Sequence, residues 1–172
     1  MKLTKLVIVL ILFLNFQANA NEISVIKFID INYVFNNSTV GKKINKDGLD
    51  QRNKKIKELK KIETDLEKQK NDILSKKNIL EKNEFEKKVI SHQKKVQDYQ
   101  LKKSKELTEL KQKNIKFTKN FMKKVDQVLL KYAENNKIDL ILTREILVIS
   151  NSKLDISKDI LEIVNKEIKK VE

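Results

Sequence analysis

The chain has 172 residues, with 38 Lys and Arg against 24 Asp and Glu, a formal charge of +14, one His, no Cys and no Pro. This excludes a disulfide framework and any thiolate nucleophile or metal site, and leaves His92 without the companions that a catalytic or metal centre needs. The basic excess is almost wholly Lys, Arg52 and Arg144 being the only arginines, so the surface attracts polyanions and acidic chains and repels copies of itself.

Lys2 and Lys5 precede an apolar run, Leu6 to Leu14, and Ala18-Asn19-Ala20 follows it. A positive start, a short apolar region and an A-x-A site predict a cleaved signal peptide over residues 1–20 and an exported mature chain; the alternative is an uncleaved anchor. The run is well short of the ~20 residues that a spanning helix needs. Removing the signal lowers the formal charge from +14 to +12. With no Cys in the chain, a lipid-modified start is excluded.

Ser24 to Ile29 is a β-branched and aromatic run that predicts a buried or half-buried strand. Asp30 caps a short helical turn, Ile31 to Phe35, and 36–39 reads as a loop whose Ser38 or Thr39 caps the helix that follows.

Residues 42–132 hold one Gly (Gly48) and no Pro among Lys, Glu, Leu and Ile, mostly good helix formers. Leu59, Leu66, Ile73 and Leu80 recur every seven residues, with Ile56 and Ile62 flanking the first. Phe85, Val89, His92, Val96 and Tyr99 step by four and three, and Leu107, Leu110, Phe117 and Phe121 continue the stripe. A period near 3.5 with charges between is a coiled-coil pattern. Gln69, Lys76, Lys103 and Asn114 interrupt it, so the seam is thin and the helix needs a partner, most simply its own second half. The pattern breaks at 78–83, where Asn83 and Glu86 read as a capping box with Phe85 opening the next stripe. The expectation is a hairpin: one helix over 42–77, a tip near 78–83, and a second over 84–134, about 55 and 75 Å long. The alternative is one continuous helix.

Asn135-Asn136 marks a helix stop, and Ile138–Thr143 and Ile146–Ile149 are two strand candidates at hairpin spacing across Arg144-Glu145. Asp155 or Ser157 caps a last amphipathic helix, 156–169, with Ile156, Ile160, Ile163 or Val164, and Ile168 on one face. The fold class expected is mostly α with a small β body. Residues 21–41 and 135–172 form that α/β oligomerisation body, and the helical hairpin 42–134 is inserted in it. A body of about sixty residues is marginal alone, and short strands leave edges that want pairing; both favour a homo-oligomer.

Four stretches carry a resemblance to the Skp/OmpH family of periplasmic chaperones: Ile26–Phe35, Glu58–Glu67, Phe85–Val89, and Ile138–Leu142 with Leu154–Leu161. Lys/Glu-rich helices resemble one another easily; the strand–arm–strand–strand–helix order behind a signal peptide is the specific feature. The resemblance implies a jellyfish-like homotrimer in the periplasm, with a central barrel and three helical arms around a cavity. It also implies an ATP-independent holdase that binds unfolded outer-membrane β-barrel proteins and prevents their aggregation. Two departures, a tip without Gly and an unusually Lys-rich arm, bear on which clients it prefers.

No catalytic, cofactor-binding or metal residue is expected, and no client-binding residue can be assigned. His92 falls on the seam between Val89 and Val96 and reads as structural. Glu63 and Glu67 lie among Lys60 and Lys70 at helical spacing, a solvated network rather than an acid–base pair. Phe117, Phe121, Val125, Val128 and Leu129 read as packing between arm and body, with a client surface as the sharper alternative, and Tyr99 reads as a seam residue. The rival functions are a structural coiled-coil envelope spacer and a non-specific binder of nucleic acid or lipopolysaccharide. The charge supports only salt-sensitive association with nucleic acid, since Arg is scarce and no nucleic-acid motif is present. Electrostatic contact with anionic lipid is compatible with the Lys-rich arm.

Overall fold

The computed structural model describes residues 24–171. The expected signal peptide lies outside them. No described helix is long and apolar enough to cross a membrane.

Strand β1, Ile26–Ile29, runs parallel to β2, Leu140–Thr143, in the register Ile26↔Leu140 to Ile29↔Thr143. Parallel neighbours need a long crossover, and the whole helical arm is that crossover. After β1, Asp30 caps helix α1, Ile31–Asn37, by accepting the Tyr33 amide at 2.7 Å. The expected 36–39 loop reduces to Ser38, which ends α1 and caps helix α2, Thr39–Ser75, by accepting the Gly41 amide at 3.1 Å.

The chain then folds back, which rules out one continuous helix. A non-helical tip, 76–81, leads into helix α3, Lys82–Asn136. The tip starts two residues earlier than the pattern implied, and the expected capping box at Asn83 and Glu86 is absent. Tight turns close on the Lys76 carbonyl, which accepts the Ile79 and Leu80 amides at 3.0 Å each. The returning helix therefore begins at Glu81, which caps it without a side-chain bond and places Asn83 inside the first turn. At the far end α3 runs through both asparagines. Lys137 takes the left-handed conformation (φ 51°) and Ile138 donates back to the Ala133 carbonyl at 2.9 Å, the bonding that commonly closes a helix.

The second strand candidate, Ile146–Ile149, is not a strand. Arg144–Ile146 coil into a 3-10 turn, and Val148 and Ile149 stand 98% and 92% exposed. A strand exists only through a ladder, and among the described residues nothing pairs with this segment. Along the other edge of β1 the chain returns through a 3-10 turn, Ser152–Leu154, bridges at Phe28↔Asp155, and donates from Ile156 to the Phe28 carbonyl at 3.0 Å. Helix α4, Ser157–Glu167, closes the fold. The Asp155 carboxylate accepts the Ser157 amide at 2.9 Å, and Ile156, Ile160, Val164 and Ile168 form the buried face.

One core joins body and arm. Ile29 and Val34 from the first elements, Val40 and Ile44 from the start of α2, Phe121, Val125 and Val128 from α3, and the buried face of α4 pack together. Phe35 meets Phe121 edge-on at 5.4 Å. Tyr132 ties α3 to α4 through its hydroxyl, which donates to Asp159 at 2.9 Å; burial and that bond push the phenol pKa up.

The α1–α2 corner leaves no room at Gly41, where a Cβ would collide with the Phe35 carbonyl oxygen and lie 2.7 Å from Ser38 Oγ. Gly41→Ala is expected to cost about 1–3 kcal/mol, more than the ~1 kcal/mol that Ala gains in helix propensity. A lower urea midpoint with unchanged slope is the expected result; an unchanged midpoint would contradict the corner geometry.

Candidate functional site

Helices α2 and α3 have too few apolar residues to bury each other along their length. Near the body, Ile44, Phe121 and their neighbours are fully buried. Further out only Leu59 and Tyr99 are buried. They form a pinch point at which the Tyr99 hydroxyl donates to the Leu59 carbonyl at 3.1 Å. Beyond it Leu66, Ile73, Leu80, Phe85, Val89 and Val96 are only half-buried, and Ile56 and Ile62, on either side of Leu59, stand at the surface. The heptad residues do face the partner helix, but past Leu59 they are not sealed.

The polar seam residues are accommodated in different ways. Asn114 fills the space that Gly48 leaves: a Cβ on Gly48 would lie 2.8 Å from Asn114 Oδ1. Gln69 accepts from Lys95 at 3.0 Å. Lys103 lies over the Tyr99 ring at 5.6 Å and 3.8 Å from Glu63. Lys55 bridges Glu58 on its own helix and Glu106 across the seam. The hydrogen bond between Lys55 and Glu58 is the chief cause that raises the lysine pKa and lowers that of the glutamate. Such exposed pairs contribute little each, so they set register more than stability.

The residues singled out in the sequence separate clearly. Phe121, Val125 and Val128 are core, and Phe117 and Leu129 pack against it. His92 is half-buried on the seam, its Nδ1 enclosed without a hydrogen-bond partner. Glu67 pairs with Lys70 at 3.4 Å, while Glu63 reaches across to Lys103, so the expected network is partly cross-helical. Among the described residues no group of three or more His, Asp and Glu could hold a metal ion.

Concavities flank the arm root, and two of them carry apolar walls. One, about 200 Å³, is walled by Ile44, Leu110, Phe117 and Val171, with Lys43, Lys113 and Lys169 at its edge. The other is a groove of about 700 Å³ on the opposite flank, where Leu49 and Arg52 face Leu107, Thr108, Lys111 and Ile115. Sequence reasoning did not find this second groove, because attention to the seam hides what lies beside it.

The described residues form a parallel pair of strands crossed over by a long helical hairpin. The family described as outer membrane protein (OmpH-like) matches residues 25–164, and the chain belongs to it. The fold is similar to that of a candidate outer membrane chaperone (OmpH-like) from Caulobacter crescentus. The TM-score is 0.80 at 17% identity, covering 87% of this chain and 89% of that one. A comparison with curated proteins finds no match.

The pinch point should govern how the outer arm opens. Leu59→Ala is expected to cost about 2–5 kcal/mol and Tyr99→Phe about 1 kcal/mol. Amide exchange over 60–98 should accelerate with little change at 121–128. Equal acceleration in both regions, or none, would show that the pinch does not separate the outer arm from its root.

Proposed function

We propose that this protein is an ATP-independent periplasmic holdase. In this reading it binds unfolded outer-membrane β-barrel proteins in a cavity between the helical arms of a homotrimer and keeps them from aggregating. Membership of the OmpH-like family supports a chaperone role, as does likeness in fold to a candidate outer membrane chaperone. The observation that carries the reading is the arm itself: two long helices anchored firmly at the root and only half-sealed beyond Leu59 and Tyr99. Such a hairpin bends and splays at small cost, so a cavity between several can adapt to clients of different size.

The body supports assembly. Ile26 and Leu140, paired across the sheet, both point away from the core and stand 42% and 47% exposed. Among the described residues strand β2 has a free outer edge, and the apolar segment at Val148-Ile149 follows it into solvent. Contact with a second copy would cover these surfaces and give 146–149 the ladder that it lacks among the described residues; three as the number of copies rests on the resemblance. The signal-like start supports export to the periplasm. Contact with anionic lipid or lipopolysaccharide would be electrostatic and screened by salt.

Dilution of a urea-unfolded outer-membrane barrel into increasing residues 21–172, without ATP and at moderate salt, tests the reading by light scattering. Suppression that saturates near three chains per client is the expected result. No suppression from correctly folded protein would overturn it. Suppression that needs large excess and vanishes with salt would reduce it to charge alone.

A further inference from the structure

Helix α3 segregates its charge. At about 100° per residue, the charged side chains between Val89 and Thr108 all fall on the seam or on one outer flank. These are Lys94, Lys95, Asp98, Lys102, Lys103, Lys105 and Glu106. The remaining third of the circumference carries none over this stretch. Its apolar residues are Val89, Ile90, Leu101 and Leu107, and between them lie only amides and hydroxyls: Gln93, Gln97, Gln100, Ser104 and Thr108. Ile90 and Leu101 are 65% and 72% exposed. The same sector runs rootward into the groove of Leu49, Leu107, Thr108 and Ile115, where both helices contribute to it and Arg52 and Lys111 add two cations. The opposite flank carries cross-helix polar contacts, Lys95 to Gln69, Lys113 to Gln51 and Lys55 to Glu106.

From this placement we infer that the uncharged flank of α3, together with the groove at its root, is the surface that holds the client, as an extended and largely uncharged polypeptide segment. The inference rests on the chaperone reading and assigns that activity to one side of the arm. A second copy of the arm is a poor occupant. Ile90, Leu101 and Ile115 recur only every eleven and fourteen residues, too sparsely for knobs-into-holes packing, and the cationic copies repel. An unfolded chain suits the surface better. Glutamine amides donate to and accept from exposed peptide groups, and isolated aliphatic side chains contact the apolar residues that alternate along a β-strand segment. The lysines on the other flank act over longer range to draw the chain in, and no client contact there is required.

Adjacent positions give a charge-matched test. Ile90→Glu with Leu101→Glu changes the uncharged flank by two negative units. Ser91→Glu with Lys102→Gln makes the same charge change one residue further along, on the charged flank. All four positions are exposed, and circular dichroism checks that helicity is kept. In the scattering assay the first pair should raise the concentration for half-suppression at least about tenfold, since it sets charges into an apolar contact. The second pair should change it less than about twofold, as expected for screened surface charge. A photo-crosslinker at Thr108 should capture client, whereas one at Glu109 should not. Equal effects of the two pairs, or capture from Glu109 alone, would overturn the assignment while leaving a working chaperone. A parent protein that fails to suppress scattering would remove the chaperone reading and this inference with it.

Discussion

The structure depends on the burial of the arm root in the body. Phe121, Val125 and Val128 of α3 lie against Ile160 and Val164 of α4 and against Ile29 and Val34 from the start of the described chain. Each such side chain contributes about 1.5–3 kcal/mol on removal from water, and few other contacts in the molecule are of that kind. The body cannot complete a core without the arm, and the arm cannot hold a direction without the body. The helices that leave the core at Ile44 return to it at Phe121, and so supply the long crossover that the parallel pairing of β1 and β2 needs.

Stability then falls away along the arm. The root is sealed, the pinch at Leu59 and Tyr99 is a single buried contact reinforced by a hydrogen bond, and the outer arm has only half-buried contacts. Regions with little buried apolar surface open locally at low free energy. The function proposed uses that gradient, with a fixed root to define the cavity and a compliant outer arm to fit its contents. It also uses the segregation of charge around α3, which separates attraction at long range from holding at contact.

Much of this was legible in the sequence because it rests on local chemistry. Asp30 and the Ser38-Thr39 pair announce their helices as side-chain caps, of which the structure uses Ser38; Ser24 to Ile29 announces a strand through β-branching, formed over Ile26–Ile29; and the seven-residue repeat announces a helix with a partner. Ile163 and Val164 fit the apolar face of the last helix equally by spacing, and packing selects Val164. The misses have physical causes. Ile146–Ile149 has the composition of a strand, but the ladder that makes one is absent among the described residues. Asn83 has the pattern of a cap, yet the turns at Lys76 start the returning helix before it. Lys137 takes the left-handed stop expected of an asparagine. The uncharged flank of α3 was present in the sequence as the spacing of Ile90, Gln97, Leu101 and Thr108, but it shows only when charges, not apolar residues, are placed around the helix.

The central claim is that the body is completed by further copies, so that several arms surround one cavity. Sedimentation equilibrium of residues 21–172 at micromolar concentration tests it most directly. The account predicts the mass of three chains, stable to dilution across that range; a monomer would contradict it and leave a single arm with no cavity to enclose a client.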